Sequence, residues 1–271
     1  MITTLTPKSY FEILKAQSER LLPEPFYTHS VSEKEQQKEI TILKNTIHYE
    51  KFFFVINHQK FITEHVHGVH RWLGYNDRDF TLMKYFSIVH PSHLVAQMTN
   101  VYELLEALIA GNWPVNFMSH KFISTVALRH AGGEYLLFKR LAWPFQHDDK
   151  NRLLSYLNEF TLVGAFNNEP YSARMTDSDG NTIDWHDELL HRTKQSFQKH
   201  TPFSVQELRI LRKLANGNGH TSKEIGDMFK IKESSVVTYK KRIMKKAEQI
   251  FHQKFSSAKH VAMYLNEQGL I

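Results

Sequence analysis

Two capping boxes close together place the strongest constraint on how this chain folds. In Ser204-Val-Gln-Glu207, a Ser at the helix N-cap accepts from an orphan backbone N–H, and a Glu three residues on reaches back. Leu208, Leu211, Leu214 and Ala215 follow at helical spacing, and Gly217 marks the end of that helix. Thr221-Ser-Lys-Glu224 is the second box. It opens a short helix with Ile225, Met228 and Phe229 on one face. A turn, Lys230-Ile-Lys232, leads to a third helix over about Glu233–Gln249, with Val236, Ile243 and Ala247 inward. Its outward residues are Ser234, Val237, Thr238, Lys241, Arg242 and Lys245. Short helix, tight turn and long helix with a polar, basic outer face is the pattern of a major-groove reader.

Charge agrees with that pattern. Residues 201–271 carry 13 Lys and Arg against 6 Asp and Glu, whereas residues 1–200 carry 21 against 22. An excess of positive charge confined to one segment points to a polyanion partner there and a different task elsewhere. The bland alternative, a solvated helix with ordinary surface lysines, does not account for the two boxes, the turn and the charge together.

Several blocks of this segment resemble the LuxR-type (GerE-like) helix-turn-helix of bacterial transcription factors. They are Phe203-Ser-Val-Gln-Glu-Leu-Arg-Ile-Leu211, Ser222-Lys-Glu-Ile225, Ile231, Ser235-Val236, Ile243-Met-Lys-Lys246 and Gly269-Leu-Ile271. The resemblance implies base contacts from Val237, Thr238 and Lys241, and phosphate-side contacts from Lys223, Ser235 and Tyr239. Three departures stand out: Val237 where the family usually has Lys, Tyr239 where it has His, and Lys232 at the usual Ser/Thr N-cap. A Lys side chain has no acceptor for a backbone N–H. The resemblance therefore implies the docking mode and a different recognised sequence.

The remaining chain reads as α+β. Residues 7–48 are helical by pattern, broken at Pro23 and Pro25, with Ser32 capping a helix over Glu33–Ile47. Lys51–Asn57 and Lys60–His65 read as strands, with short helical pieces around Val69–Leu73 and Asp77–Phe86. Leu94, Met98, Val101, Leu105 and Leu108 repeat at helical spacing over Leu94–Ala110. Phe117–Arg129, Glu134–Phe145 and Leu153–Phe166 are β stretches, the first two joined by an Ala131-Gly-Gly133 turn. Asn167–His200 reads as a polar loop followed by a connector helix over 184–198.

Within residues 51–166, Trp72-Leu-Gly-Tyr75, Ile88-Val-His-Pro-Ser-His93 and Leu128-Arg-His-Ala-Gly-Gly-Glu-Tyr135 resemble the PAS sensor family in order and spacing. The resemblance implies a five-stranded antiparallel sheet ordered 2-1-5-4-3, helices on one face, and a cavity between them. Such domains receive small molecules or mediate dimerisation. The candidate pocket residues are Phe54, Ile56, Trp72, Phe86, Met98, Leu128, Leu137 and Phe160.

Other chemistry finds little support. The chain has no cysteine, which excludes disulfides, Cys-ligated metals and thiol catalysis. His58, His65, His67 and His70 cluster in sequence, but no carboxylate completes a ligand set, so no metal is expected. His90 and His93 open the long helix rather than lying within it, which argues against a haem ligand. No cofactor is expected, and no nucleophile elbow or P-loop supports an enzyme. No signal pattern or membrane-length apolar run occurs, so a cytoplasmic protein without membrane contact is expected.

The expected organisation is an N-terminal helical segment (1–50), a PAS-like sensor domain (51–166), a linker and connector helix (167–200) and a four-helix DNA-binding domain (201–271). The expected function is a transcriptional regulator that binds double-stranded DNA as a homodimer, with a possible small-molecule ligand in the sensor. The alternative is a ligand-binding or protein-interaction adaptor without specific DNA binding.

Overall fold

The computed structural model describes residues 6–24, 27–46, 50–110, 115–177, 179–182, 187, 191–192, 194–195, 197–198, 201–216, 220–251 and 253–271. Two helices, α1 (Pro7–Leu21) and α2 (Glu33–Thr46), precede a sheet. Strands β1 (Lys51–Asn57) and β2 (Ile62–His67) form an antiparallel pair. Three helices follow: α3 (Val69–Leu73), α4 (Leu82–Ile88) and α5 (Pro91–Ile109). Strands β3 (Lys121–Arg129), β4 (Tyr135–His147), β5 (Leu153–Ala165) and β6 (Ala173–Thr176) complete the sheet.

The sheet order is β2-β1-β5-β4-β3-β6. The expected 2-1-5-4-3 succession runs through it, but the strand count is six rather than five. The sixth strand lies in the segment read as loop. Its pairing with β3, Phe122 opposite Met175, places an apolar side chain beside the edge of the core. A run of only four residues carries too little alternation to stand out in a polar stretch. The expected connector helix lies partly outside the described residues, as does Gly217.

A second correction concerns the helices, which lie on both faces of the sheet rather than one. Successive side chains in a strand point to opposite faces. Phe52, Phe54 and Ile56 join one core with Phe160, Tyr85, Leu94 and Met98. Phe53 and Val55 join another with Leu157, Trp143, Phe145 and, from α2, Ile40 and Leu43. A strand apolar at consecutive positions needs cover on both sides. The unbroken run Phe52–Ile56 carries that signal.

The stretch His90–His93 holds the start of α5 to the sheet. His90 is its N-cap, with Nδ1 accepting from the Ser92 N–H, and Pro91 occupies the first turn. The His90 N–H donates to the Ala127 carbonyl. His93 Nδ1 accepts from the Ala127 N–H at 3.1 Å, which leaves Nε2 to donate to the Glu169 carbonyl at 2.7 Å.

Nearly all of α5 is buried, on both sides. Leu94, Met98, Val101, Leu105 and Leu108 face the sheet, as their spacing predicts. Val95 and Ala96 face the core of the C-terminal helices. A helix apolar all round is an interior helix.

Those C-terminal helices are α6 (Val205–Ala215), α7 (Ser222–Phe229), α8 (Glu233–Phe251) and α9 (Ala258–Glu267). Both expected capping boxes form, at Ser204 and Thr221. The turn after α7 is tight. Lys230 takes a left-handed conformation, and a Cβ on Gly226 would lie 2.8 Å from the Ile231 carbonyl oxygen. Glycine permits that approach. Among the described residues, no helix is long and apolar enough to cross a membrane.

Candidate nucleic-acid interface and ligand cleft

Helix α8 presents two faces. Val236, Ile243, Ala247 and Phe251 are buried against α6, α7 and α9 in one core. Ser234, Val237, Thr238, Lys241, Arg242 and Lys245 are exposed, and Val237, Lys241 and Lys245 share one stripe at four-residue spacing. Lys223 is exposed on α7, while Ser235 and Tyr239 are half-buried. All nine candidate contact residues thus lie on α7 and α8. Tyr239 packs against the core, so only its outer part is accessible.

The five basic residues of α8 divide into two groups. Lys240 donates to Ser222 Oγ at 3.0 Å and so ties α8 to α7. Lys246 donates to the Pro202 carbonyl and to the buried Glu207 carboxylate, at 3.0 and 2.6 Å. Burial also pulls the Lys240 ammonium below its usual pKa. By contrast, Lys241, Arg242 and Lys245 are exposed and form no ion pair among the described residues. Three cations beside a short polar and apolar stripe can pair with phosphates while the stripe lies against base edges. Lys232 caps nothing with its side chain, but its carbonyl accepts from the Ser235 and Val236 N–H groups. The start of α8 is therefore hydrogen-bonded without a Ser or Thr.

The sheet carries a cleft, placed differently from the expected pocket. It lies between the second half of α5 (Val101, Leu104, Leu105, Leu108) and β3–β6, with Phe122, Arg140, Tyr156 and Met175 in its wall. Its free space is about 40 Å3, room for roughly three waters by the volume each requires. None of the eight candidate pocket residues lines it. Phe54, Ile56, Phe86, Met98, Leu128, Leu137 and Phe160 are buried, and Trp72 packs half-buried beside them; six of the seven and Trp72 share the α5-side core. Aromatic packing fills that region: the rings of Phe52 and Phe160 stack at 4.5 Å.

Arg140 is the functional candidate that sequence reading missed. It is fully buried on β4, its Nε donates to Asn158 Oδ1 at 2.7 Å, and Nη1 has no partner. A signal was present. Lys139 and Arg140 are neighbours in a strand, so they must face opposite ways, and one of the two charges points to the α5 side of the sheet. Lys139 is the exposed one.

The histidines do not assemble into a metal centre among the described residues. His58 is buried and stacks on Tyr156 at 5.0 Å.

A four-helix unit with a tight second-to-third turn and a cationic third helix defines a helix-turn-helix DNA-binding module. Residues 201–248 match the family described as bacterial regulatory proteins, luxR family, so this segment is a LuxR-family helix-turn-helix domain. That family consists of DNA-binding regulators. No curated protein matches the chain.

Among solved structures, one similar chain is the crystal structure of the phage VqmA-DPO complex, at 12% identity and TM-score 0.27, covering 88% of this chain and 93% of that one. Another is the crystal structure of Escherichia coli SdiA, at 16% identity and TM-score 0.29, covering 97% of this chain and 99% of that one. A third, SdiA in complex with octanoyl-rac-glycerol, has 14% identity and TM-score 0.27, covering 98% and 97%.

Proposed function

We propose that this chain is a bacterial transcriptional regulator that binds promoter DNA through α7 and α8 and receives a small-molecule signal in a PAS-like sheet domain. The observation that carries the reading is the division of labour on α8. Two of its five basic residues stabilise the domain, and the other three stand exposed beside Val237 and Thr238 on a helix whose opposite face is core. In this reading residues 51–166 are the sensor, 167–200 the connector and 201–271 the reader, with the segment 1–50 packed on the sensor. Lys223, Ser234, Ser235, Val237, Thr238, Tyr239, Lys241, Arg242 and Lys245 form the DNA contact. Val237 cannot donate to guanine, and its methyl groups suit a thymine C5-methyl in the major groove.

Replacing Lys241 and Lys245 by Ala is expected to weaken DNA binding and to flatten log K against log[salt] by about one unit per lost phosphate contact. Fluorescence anisotropy on genomic duplexes across a salt series reads this. An unchanged slope would remove the outer face of α8 from the interface.

The reader is proposed to act as a homodimer through α9. Met263 stands outward on this helix at 45% exposure, while Val261, Ala262 and Leu265 face its own core. Two copies paired along α9 would align two recognition helices on a palindrome. Met263→Asp is expected to leave the melting temperature within a degree or so of the parent, because surface changes cost little, and to abolish cooperative DNA binding. Cooperativity that survives the substitution would assign Met263 to ordinary surface.

A further inference from the structure

The interior of the sheet holds a positive charge without a counter-charge. A guanidinium stays protonated inside a protein. Arg140 is 2% exposed and forms no ion pair with a carboxylate among the described residues. The titratable groups facing it are the hydroxyls of Tyr85, Tyr156 and Tyr171. Burial raises the pKa of all three, that of Tyr156 to about 12, so all remain neutral and none supplies a negative charge. Asn158 Oδ1 accepts from Nε, the Tyr156 hydroxyl is a second hydrogen-bond partner of the guanidinium, and Nη1 alone is left without an acceptor. Natural interiors rarely leave such a group unmatched, and an unmatched one marks a strained or functional place.

That place adjoins an opening. Arg140 is a wall residue of the cleft under α5, and the walls around it are apolar: Val101, Leu105, Phe122, Leu153 and Met175. A planar, charged fork in the wall of an apolar cleft fits a molecule with a carboxylate head and a compact hydrocarbon body. We propose that this cleft binds a small apolar carboxylic acid, a short straight-chain or single-ring acid, whose carboxylate pairs with Arg140. The free space of about 40 Å3 is small, so a ligand larger than a few heavy atoms is accommodated by rotation of α5 side chains. The inference rests on the reading of the sheet domain as the receiver of a signal and specifies the chemistry it receives.

The test uses the full chain. Sodium butanoate, hexanoate, octanoate and benzoate are each titrated at millimolar concentration beside the matching alcohols, with equal sodium chloride as the control for screening. Melting temperature is the readout, since a ligand of the native state raises it by mass action. At least one acid is expected to raise it and its alcohol is not. Arg140→Met is expected to lose the response to acid. Arg140→Lys keeps the charge without the fork and is expected to respond more weakly than the parent. Failure of every acid, an equal response to the alcohols, or a full response in the Met variant overturns the proposal. Should the Met variant not fold, a full response in the Lys variant overturns it. DNA binding by the same preparations separates the two readings. A parent protein that binds DNA but none of the acids overturns this inference alone, whereas a parent protein that does not bind DNA overturns the regulator.

Discussion

Between pH 7 and pH 5 the protein is expected to lose about 4 kcal/mol of folding stability, about 2 kcal/mol from each of two buried histidines. Burial depresses the pKa of His58 from 6.5 to about 3 and that of His93 to about 4. Each is neutral when folded and ordinary when unfolded. Stability is therefore fully present above the unfolded pKa of 6.5 and falls as pH drops toward the folded values. The hydrogen bonds give the same direction for His93. Its Nδ1 accepts from the Ala127 N–H, and a proton there would set two donors against each other. His90 is depressed to about 4 by burial and by His93, but it is partly exposed and solvent screening discounts it. Denaturant titrations at the two pH values measure the loss, and His58→Phe should remove about half of it. A flat stability profile from pH 7 to pH 5 would contradict the burial of these groups as neutral species.

The second large effect concerns Lys246. Its ammonium reaches a Glu207 carboxylate that is 2% exposed. Removing one partner of a buried pair leaves the other charge uncompensated, so Lys246→Ala is expected to cost about 3 kcal/mol. The Ser204 N–H, at 2.7 Å, still serves that carboxylate and limits the damage. Replacing both residues, Lys246→Met with Glu207→Leu, should recover most of the loss, since apolar substitutes for a buried pair are commonly tolerated. The salt dependence of DNA binding should match the parent wherever the variant is folded. This separates Lys246 from Lys241 and Lys245, which a charge count places together.

The helix-turn-helix could be read from local features. Ser204, Glu207, Thr221 and Glu224 form their caps by short-range hydrogen bonds, and these need no knowledge of the rest of the molecule. The inward face of α8 followed from periodicity for the same reason. What escaped reading depended on long-range partners. Strand β6 is defined by β3, its neighbour in space but far from it in sequence. The second covered face of the sheet was written in Phe52–Ile56, yet a consecutive apolar run also fits a buried helix segment until its partners are known. Phe54, Phe160 and Tyr85 pack ring against ring, and the cleft under the second half of α5 is lined by other residues. Aromatic residues at pocket spacing do not distinguish a wall from a filling.

The double burial of α5 bears on how a signal could cross this molecule. One face of the helix roofs the cleft through Val101 and Leu105, and the other packs on the core of the C-terminal helices through Val95 and Ala96. At its start, Tyr264 of α9 donates to the Ser92 carbonyl, and the Tyr171 N–H donates to Gln268 at the end of α9. Close-packed interiors transmit displacement because few voids absorb it. Any shift of α5 that enlarges the cleft must then reshape the seat of α9, the helix proposed to join two copies on DNA. The sheet domain and the helix-turn-helix domain share α5 as a common wall.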